Sequence, residues 1–222
     1  MDQVICADCL VEMKDIPDKS VDMVFTSPPY NRKRNDKYSH YVDIIDDYYG
    51  WSCSVIHELL RVSRGNIFYN IQKNYYNKID VFKLIGTYSA EICEIIIWEK
   101  SNPMPANGYN ITNAYEFILV FGTNLKSNKT YTKNHLTTSV AKMLKEHRAI
   151  MHPDVAKFII SNFSQEGDII LDPFAGSGTT GLVCKMLNRN FILIEKEPKY
   201  IEIINSRLFK PTRSSEQEKH KS

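Results

Sequence analysis

Long apolar runs are missing from this 222-residue chain. None approaches the roughly 20 residues of a membrane-spanning helix, which excludes a helical membrane protein. Met1-Asp2-Gln3 is not a basic segment leading into an apolar stretch. No secretory signal is therefore expected, and the cytoplasm is the expected location. Charge of one sign is missing too. A net charge of +2 gives no general reason to invoke nucleic acid, so any such reason must come from local clusters. Cysteine is sparse and odd in number: Cys6, Cys9, Cys53, Cys93 and Cys184 form no disulfide framework and are expected as reduced thiols. Cys6 and Cys9 make a C-x-x-C, but no second pair or histidine cluster completes a zinc site. Packing is the expected role, and no metal is expected. No repeat is evident, and no large separate recognition domain is expected. The 43% hydrophobic and 24% charged residues are ordinary for a globular chain, which excludes disorder over most of it.

What is present alternates. Short apolar runs at 4–7, 21–26, 66–70, 92–98, Tyr115–Phe121, 169–171 and 191–194 read as strands. Helical spacing covers 43–62, with Ile44, Tyr48, Trp51, Val55, Leu59 and Val62 on one face. Further helices are predicted over 73–85, Pro153–Phe163 with proline in its first turn, the segment up to 187, and 198–208. Strands alternating with helices predict an α/β fold: a mainly parallel, twisted sheet with helices on both faces. A single domain over 1–210 is expected. Residues 31–41 read as a polar loop, 122–138 as a short insert or loop, and 211–222 as a disordered tail.

The strongest general signal is Asp172-Pro173-Phe174-Ala175-Gly176-Ser177-Gly178-Thr179-Thr180-Gly181. It follows a strand and opens a helix. Glycines there admit a ligand close to the backbone, and the helix start offers free N–H groups. Gly176, Gly178 and Gly181 satisfy G-x-G-x-x-G, and Glu195 ends the next strand, where a carboxylate can bind ribose hydroxyls. A dinucleotide and S-adenosylmethionine both fit this pattern. Asp172 suits a cationic amine and opposes a pyrophosphate. A tight strand–helix turn without a ligand is the plain alternative.

The second signal is Ser27-Pro28-Pro29-Tyr30, directly after a strand. Consecutive prolines stiffen the turn, so a hydroxyl and a carbonyl stay fixed, and the adjacent aromatic can stack on a flat ring. The two motifs together resemble those of the DNA amino-methyltransferases. Ser27-Pro28-Pro29-Tyr30 resembles their catalytic motif IV, and Asp172 to Thr180 their cofactor motif I. The catalytic motif comes first, which resembles the β-group order, a circular permutation of the Rossmann-like methyltransferase fold. Asp8 and Cys9 resemble the cofactor-adenine contact. His152-Pro153 resembles the start of the helix lining the methionine pocket. Asn102-Pro103-Met104-Pro105 and Tyr115-Glu116-Phe117 resemble the segment before the recognition region. Together these cover most of residues 4–208.

The resemblance implies S-adenosylmethionine as cofactor, bound by Asp8, Cys9, His152, Asp172, Pro173, Phe174, Ala175, Gly176, Ser177, Gly178, Thr179, Thr180 and Glu195. It implies double-stranded DNA as substrate, with the target nucleotide flipped out. Ser27, Pro28, Pro29 and Tyr30 are the catalytic residues. The Ser27 side chain and the Pro28 carbonyl accept the two amine N–H groups, Tyr30 stacks on the base, and the proton is lost to solvent. A serine at the first position favours cytosine N4, with adenine N6 as the alternative. Arg32, Lys33, Arg34 and Lys37 are candidate phosphate contacts, or else a solvated loop. Residues 124–135 are the candidate for reading bases, with Lys126, Lys129, Lys133 and Lys142 as a second contact surface. A restriction endonuclease and a second copy of the chain are candidate partners. The competing readings are an RNA or small-molecule amino-methyltransferase, a dinucleotide-dependent oxidoreductase and a non-enzymatic DNA-binding subunit.

Overall fold

The computed structural model describes residues 2–32, 34–35, 42–103, 112–139 and 151–209. Strand β1 (Asp2–Cys6) leads into a short helix, α1 (Cys9–Glu12), and then β2 (Met23–Thr26). A two-residue pairing of β3 (Arg34–Asn35) with β4 (Val42–Asp43) precedes α2 (Tyr48–Val62), β5 (Ile67–Ile71) and α3 (Lys78–Thr87). Strands β6 (Ile92–Lys100), β7 (Tyr115–Phe121) and β8 (His135–Thr138) come next. The last part holds α4 (Pro153–Phe163), β9 (Ile169–Asp172), α5 (Thr179–Met186), β10 (Asn190–Glu195) and α6 (Pro198–Phe209).

Eight strands form one sheet in the order β1-β10-β9-β2-β5-β7-β6-β8. Neighbours are parallel throughout except at β7, which runs against both β5 and β6. The mainly parallel sheet is therefore present, with one reversed strand. Alternation along each strand splits the apolar side chains between two cores. Met23, Phe25, Phe68, Ile170 and Leu193 face α4, α5 and α6 through Val155, Ile159, Val183 and Ile204. Val24, Ile67, Tyr69, Leu171 and Ile194 face α1, α2 and α3 through Cys9, Val55, Leu59 and Leu84. Covering both faces explains why β2 and β5 are buried at every position.

Three predicted boundaries move, each for a polar reason. Helix α2 begins at Tyr48, because Asp47 caps it by accepting from Gly50 N at 2.9 Å. Ile44, placed on that helix by spacing, lies before it and is exposed. Helix α3 begins at Lys78, because the side chains of Asn74 and Asn77 are committed to the turn before it. The insert expected over 122–138 ends in β8, which extends the sheet by pairing in parallel with β6. The tail at 211–222 lies outside the described residues.

Candidate active site

Strand β9 connects through α5 to β10 on one side, whereas β2 connects through α2 to β5 on the other. Adjacent strands β2 and β9 thus send the chain in opposite directions, which opens a crevice at their carboxyl ends. Ser27 to Tyr30 follow β2 on one side of it, and the glycine turn follows β9 on the other. Thr26 Oγ1 donates to Asp172 Oδ1 across the gap at 2.8 Å, joining positions 146 residues apart.

Asp172 is buried and largely satisfied. Oδ1 also accepts from Phe174 N at 3.1 Å, and Oδ2 accepts from Thr180 Oγ1 at 2.6 Å. Burial pushes its carboxyl pKa above the ordinary value, while these donors pull it back. Expected simply as a partner for a cationic amine, Asp172 is first a knot tying β2, β9 and α5 together. A carboxylate has about four acceptor positions, so one remains, on Oδ2. Glu195 pins the turn from the neighbouring strand: Oε2 accepts from Gly176 N at 2.9 Å and Oε1 from Glu197 N at 3.0 Å. Burial raises its pKa too.

The glycines divide by role. Gly176, at φ +51°, has open ground where a side chain would stand, so the turn presents bare backbone to the crevice. A Cβ on Gly181 would sit 2.7 Å from Leu193 Cδ1, so this glycine serves the packing of α5 on the sheet. The G-x-G-x-x-G spacing is thus only partly a ligand signal. Thr179 Oγ1, at the start of α5, is buried and unpartnered. Ser177 is braced by Arg207, whose Nη1 donates to Ser177 Oγ at 2.9 Å. Pro173 and Ala175 are buried in the turn, and the Phe174 ring meets Trp51 edge-on at 5.6 Å.

The remaining candidates lie at the same edge. Ala7 N donates to Glu195 O at 3.2 Å, which sets Asp8 beside the end of β10. Asp8 is exposed and caps α1, accepting from Leu10 N at 2.9 Å. Cys9 has its thiol in the core, with a pKa pushed up to about 12 by burial. Only its backbone is left for the adenine contact that resemblance implies. His152 caps α4, Nδ1 accepting from Asp154 N at 3.2 Å.

The turn from Ser27 to Tyr30 is held from several sides. Tyr48 Oη donates to the Pro29 carbonyl at 2.8 Å. Asn74 Nδ2 and Asn77 Nδ2 donate to the Tyr30 carbonyl at 2.7 and 2.8 Å. Helix α2 spans both motifs, since Trp51 stacks near Tyr48 at 5.9 Å and touches Phe174. Beneath the turn lies a buried polar cluster. Tyr30 Oη is 2.6 Å from Ser27 Oγ and donates to Glu116 Oε2 at 2.8 Å. Asn70 Nδ2 donates to Glu116 Oε2 at 2.7 Å and Tyr30 Oη at 2.5 Å, and lies 3.2 Å from Ser27 Oγ. Lys100 Nζ pairs with Glu116 Oε1. Burial and the Glu116 carboxylate push the Tyr30 phenol well above its ordinary pKa, so it stays a donor.

Two motifs far apart in sequence, one for a flat ring and one for a ligand against bare backbone, therefore line one crevice. A family described as DNA methylase, of the N6/N4 type, matches residues 21–206, a span that includes both. The chain belongs to this DNA methylase family. It is 32% identical over 92% of its length to the Type II methyltransferase M.MwoI of Methanothermobacter wolfeii, and spans about a third (34%) of that protein. It is 28% identical over 94% of its length to the Type II methyltransferase M.HinfI of Haemophilus influenzae, covering 68% of it. Among solved structures, it matches the PvuII DNA methyltransferase (cytosine-N4-specific) with a TM-score of 0.79 at 20% identity, covering 96% of this chain and 87% of that one. At this identity the likeness shows the fold. The M1.HpyAVI–SAM complex matches with a TM-score of 0.68 at 28% identity, covering 94% of this chain and all of that one.

The DNA contacts expected from the sequence are only partly brought together. Arg32 is drawn inward: its backbone N donates to Asp43 Oδ2 at 3.0 Å, its guanidinium meets Gln72 Oε1, and Cζ lies 5.2 Å from the Tyr30 ring centre. Arg34 is placed by its backbone pairing with Asp43. Lys33, Lys37 and Lys142 lie outside the described residues. The segment expected to read bases is fixed at the other end of the sheet. Asn128 Nδ2 donates to Ser161 O at 3.0 Å and Ser164 O at 2.7 Å, where α4 ends before β9 begins. Lys126 and Lys129 therefore lie at the edge opposite Ser27. The sequence reading passed over Asn70, Lys100, Glu116, Asn74 and Asn77 as site residues. A signal was available: Asn70 and Glu116 interrupt the apolar runs of β5 and β7, where an unpaired polar group is costly.

Proposed function

We propose that this methylase transfers a methyl group from S-adenosylmethionine to the exocyclic amine of a flipped-out base in duplex DNA, cytosine N4 being the preferred target. The Thr26–Asp172 bridge carries this reading, because it joins the two motifs in one crevice. The open ground before Gly176, the unpartnered Thr179 hydroxyl and the spare acceptor of Asp172 fit a compact ligand with an amine and a carboxylate. Asp172, Thr179 and the backbone of the glycine turn would hold its amino-acid end, and Glu195 its ribose. The S-adenosylmethionine complex of a relative 28% identical supports the same assignment. When bound, the cofactor supplies an electrophilic methyl group on a sulfonium.

The chain's own residues then position the amine. Ser27 Oγ and the Pro28 carbonyl accept its N–H groups, and the Tyr30 ring stacks on the base. Positioning of this kind supplies up to about 7–11 kcal/mol in model reactions. Lys33, Arg34 and Lys37 would grip the flanking phosphates, and Arg32 would join them only by leaving its place over the Tyr30 ring. A single domain over 1–210 and a cytoplasmic location belong to the same reading. So do a restriction endonuclease, supported by the Type II designation of both relatives, and a homodimer whose second copy adds DNA contacts. Nucleosides from DNA treated with the protein should contain N4-methylcytosine by mass spectrometry. N6-methyladenine in its place would move the target to adenine. Methyl transfer to RNA alone would remove DNA as the substrate.

Cofactor binding should depend on pH. Asp172 and Glu195 both have carboxyl pKa values raised by burial, so in the free protein they take up protons above the ordinary carboxylate range. A cationic ligand favours their ionised forms. Binding should therefore release protons and weaken as pH falls, by up to about tenfold per pH unit for each fully coupled carboxyl. Calorimetry in two buffers of different ionisation enthalpy checks this, and equal heats would show that neither carboxyl is coupled.

A further inference from the structure

We infer that Ser27, Tyr30 and Glu116 form a proton relay that carries the amine proton from the target base to a buried carboxylate. The inference rests on the methyl-transfer reading above and names where the proton goes.

Three observations lead to it. First, the direction of each hydrogen bond is fixed. Glu116 Oε2 can only accept, so the proton of Tyr30 Oη points to it at 2.8 Å. Tyr30 Oη has then only acceptor capacity left, so Ser27 donates its proton to Tyr30 at 2.6 Å. Ser27 Oγ in turn keeps an acceptor position for the target amine, its contact with Asn70 being the long one at 3.2 Å. Second, the chain ends on a charge. Glu116 is 4% exposed, and Lys100, 14% exposed in its side chain, neutralises it from the far oxygen. Third, Asn70 braces the joints, donating to both Tyr30 and Glu116.

Each hydrogen bond in such a chain polarises the next. The carboxylate makes Tyr30 Oη a better acceptor, which makes Ser27 Oγ a better one, although serine itself is a poor base. In the step, the amine nitrogen forms its bond to the methyl carbon. The carbon–sulfur bond breaks, and its electron pair stays on sulfur as a neutral thioether. The amine proton moves to Ser27 Oγ, the serine proton to Tyr30 Oη, and the tyrosine proton to Glu116 Oε2. An exocyclic ammonium beside the ring nitrogens of a nucleobase is a stronger acid than a carboxylic acid, so its proton passes readily into the relay. Glu116 returns its proton to water after the product leaves. Loss to solvent directly from the base, as the sequence suggested, is replaced by loss through the protein.

Glu116→Gln keeps the size and removes the charge and the proton-accepting capacity. Its single-turnover methyl-transfer rate on duplex DNA should fall about tenfold to a hundredfold, while affinity for S-adenosylmethionine stays within about twofold. The wild-type single-turnover rate should carry a solvent deuterium isotope effect from the protons in flight, and the variant should lose it. The charged and titratable groups around Glu116 are Lys100 on β6, Tyr30 after β2 and the Arg32 guanidinium above that ring. A purely structural Glu116 would lower the rate and leave the isotope effect in place, which would overturn the relay. So would a wild-type rate in the variant. Should Glu116→Gln fail to bind cofactor, Tyr30→Phe breaks the chain at its middle and must abolish the same isotope effect. A wild-type protein that methylates no duplex would remove the methyl-transfer reading itself, a different outcome from an active wild type with an indifferent variant.

Discussion

Asp172→Ala is expected to lower the stability of the protein by about 3 kcal/mol and to abolish measurable S-adenosylmethionine binding. Three donors point at this carboxylate: Thr26 Oγ1, Thr180 Oγ1 and Phe174 N. Alanine leaves all of them without an acceptor in a buried place. A donor stranded in this way costs roughly 1–3 kcal/mol, and the two threonine hydroxyls can rotate to reduce their share. The pH dependence has a definite sign. Because burial raises the folded-state pKa of Asp172 above its unfolded value, the folded protein binds this proton more tightly. Its contribution is therefore fully present in acid and is lost as pH rises through the folded pKa. The penalty for alanine should accordingly grow as pH falls from neutral through the carboxylate range. Urea unfolding at several pH values, with calorimetric titration of the cofactor, checks both parts. A variant with unchanged midpoint and cofactor affinity would show that the crevice does not depend on this bridge.

Asp172 also shows what a sequence can and cannot disclose. Its place at the end of an apolar run, before a glycine turn, was legible, and so was a fold of alternating strands and helices. Periodicity suffices there, because β2, β5 and β9 are buried on both faces and read as continuous apolar segments. Strand β8 escaped that logic. Its sequence His-Leu-Thr-Thr buries only Leu136, and what makes it a strand is the backbone of β6. The start of α3 was misread for a related reason. Asn74 and Asn77 hold the Tyr30 carbonyl, a contact made across 44 and 47 positions that no local pattern signals.

The chemistry divides the same way. Ser27 to Tyr30 could be found as a motif, but Glu116 lies 86 positions from Tyr30 and shares no spacing with it. The chain reversal at β7 is what brings it to the floor of the site. The contrast between Asn128 and Arg32 makes the same point about charge. Both stand in polar stretches that read as candidate DNA contacts, yet one fixes its segment at the far edge of the sheet and the other lies over the Tyr30 ring.

Tyr30→Ala should strike the methyl-transfer step itself, lowering the single-turnover rate by about a hundredfold or more without a matching loss of cofactor affinity. Two effects combine. The variant loses the ring proposed to stack on the flipped base, an interaction worth roughly 1–3 kcal/mol in comparable base–aromatic contacts. It also removes the hydroxyl between Ser27 and Glu116, so the buried carboxylate loses one of its donors and the serine its polarising partner. A stranded buried group costs a further 1–3 kcal/mol or so, part of which appears as lost stability. Tyr30→Phe separates the two, keeping the ring and losing only the hydroxyl. Phenylalanine should therefore recover binding of a duplex with a mismatched target, where flipping is easy, while the methyl-transfer rate stays low. Equal binding and equal rates for alanine and phenylalanine would place the whole effect in the hydroxyl and none in stacking. A wild-type rate for both would remove Tyr30 from the reaction, and with it the reading of the proline turn as the place where the base is held.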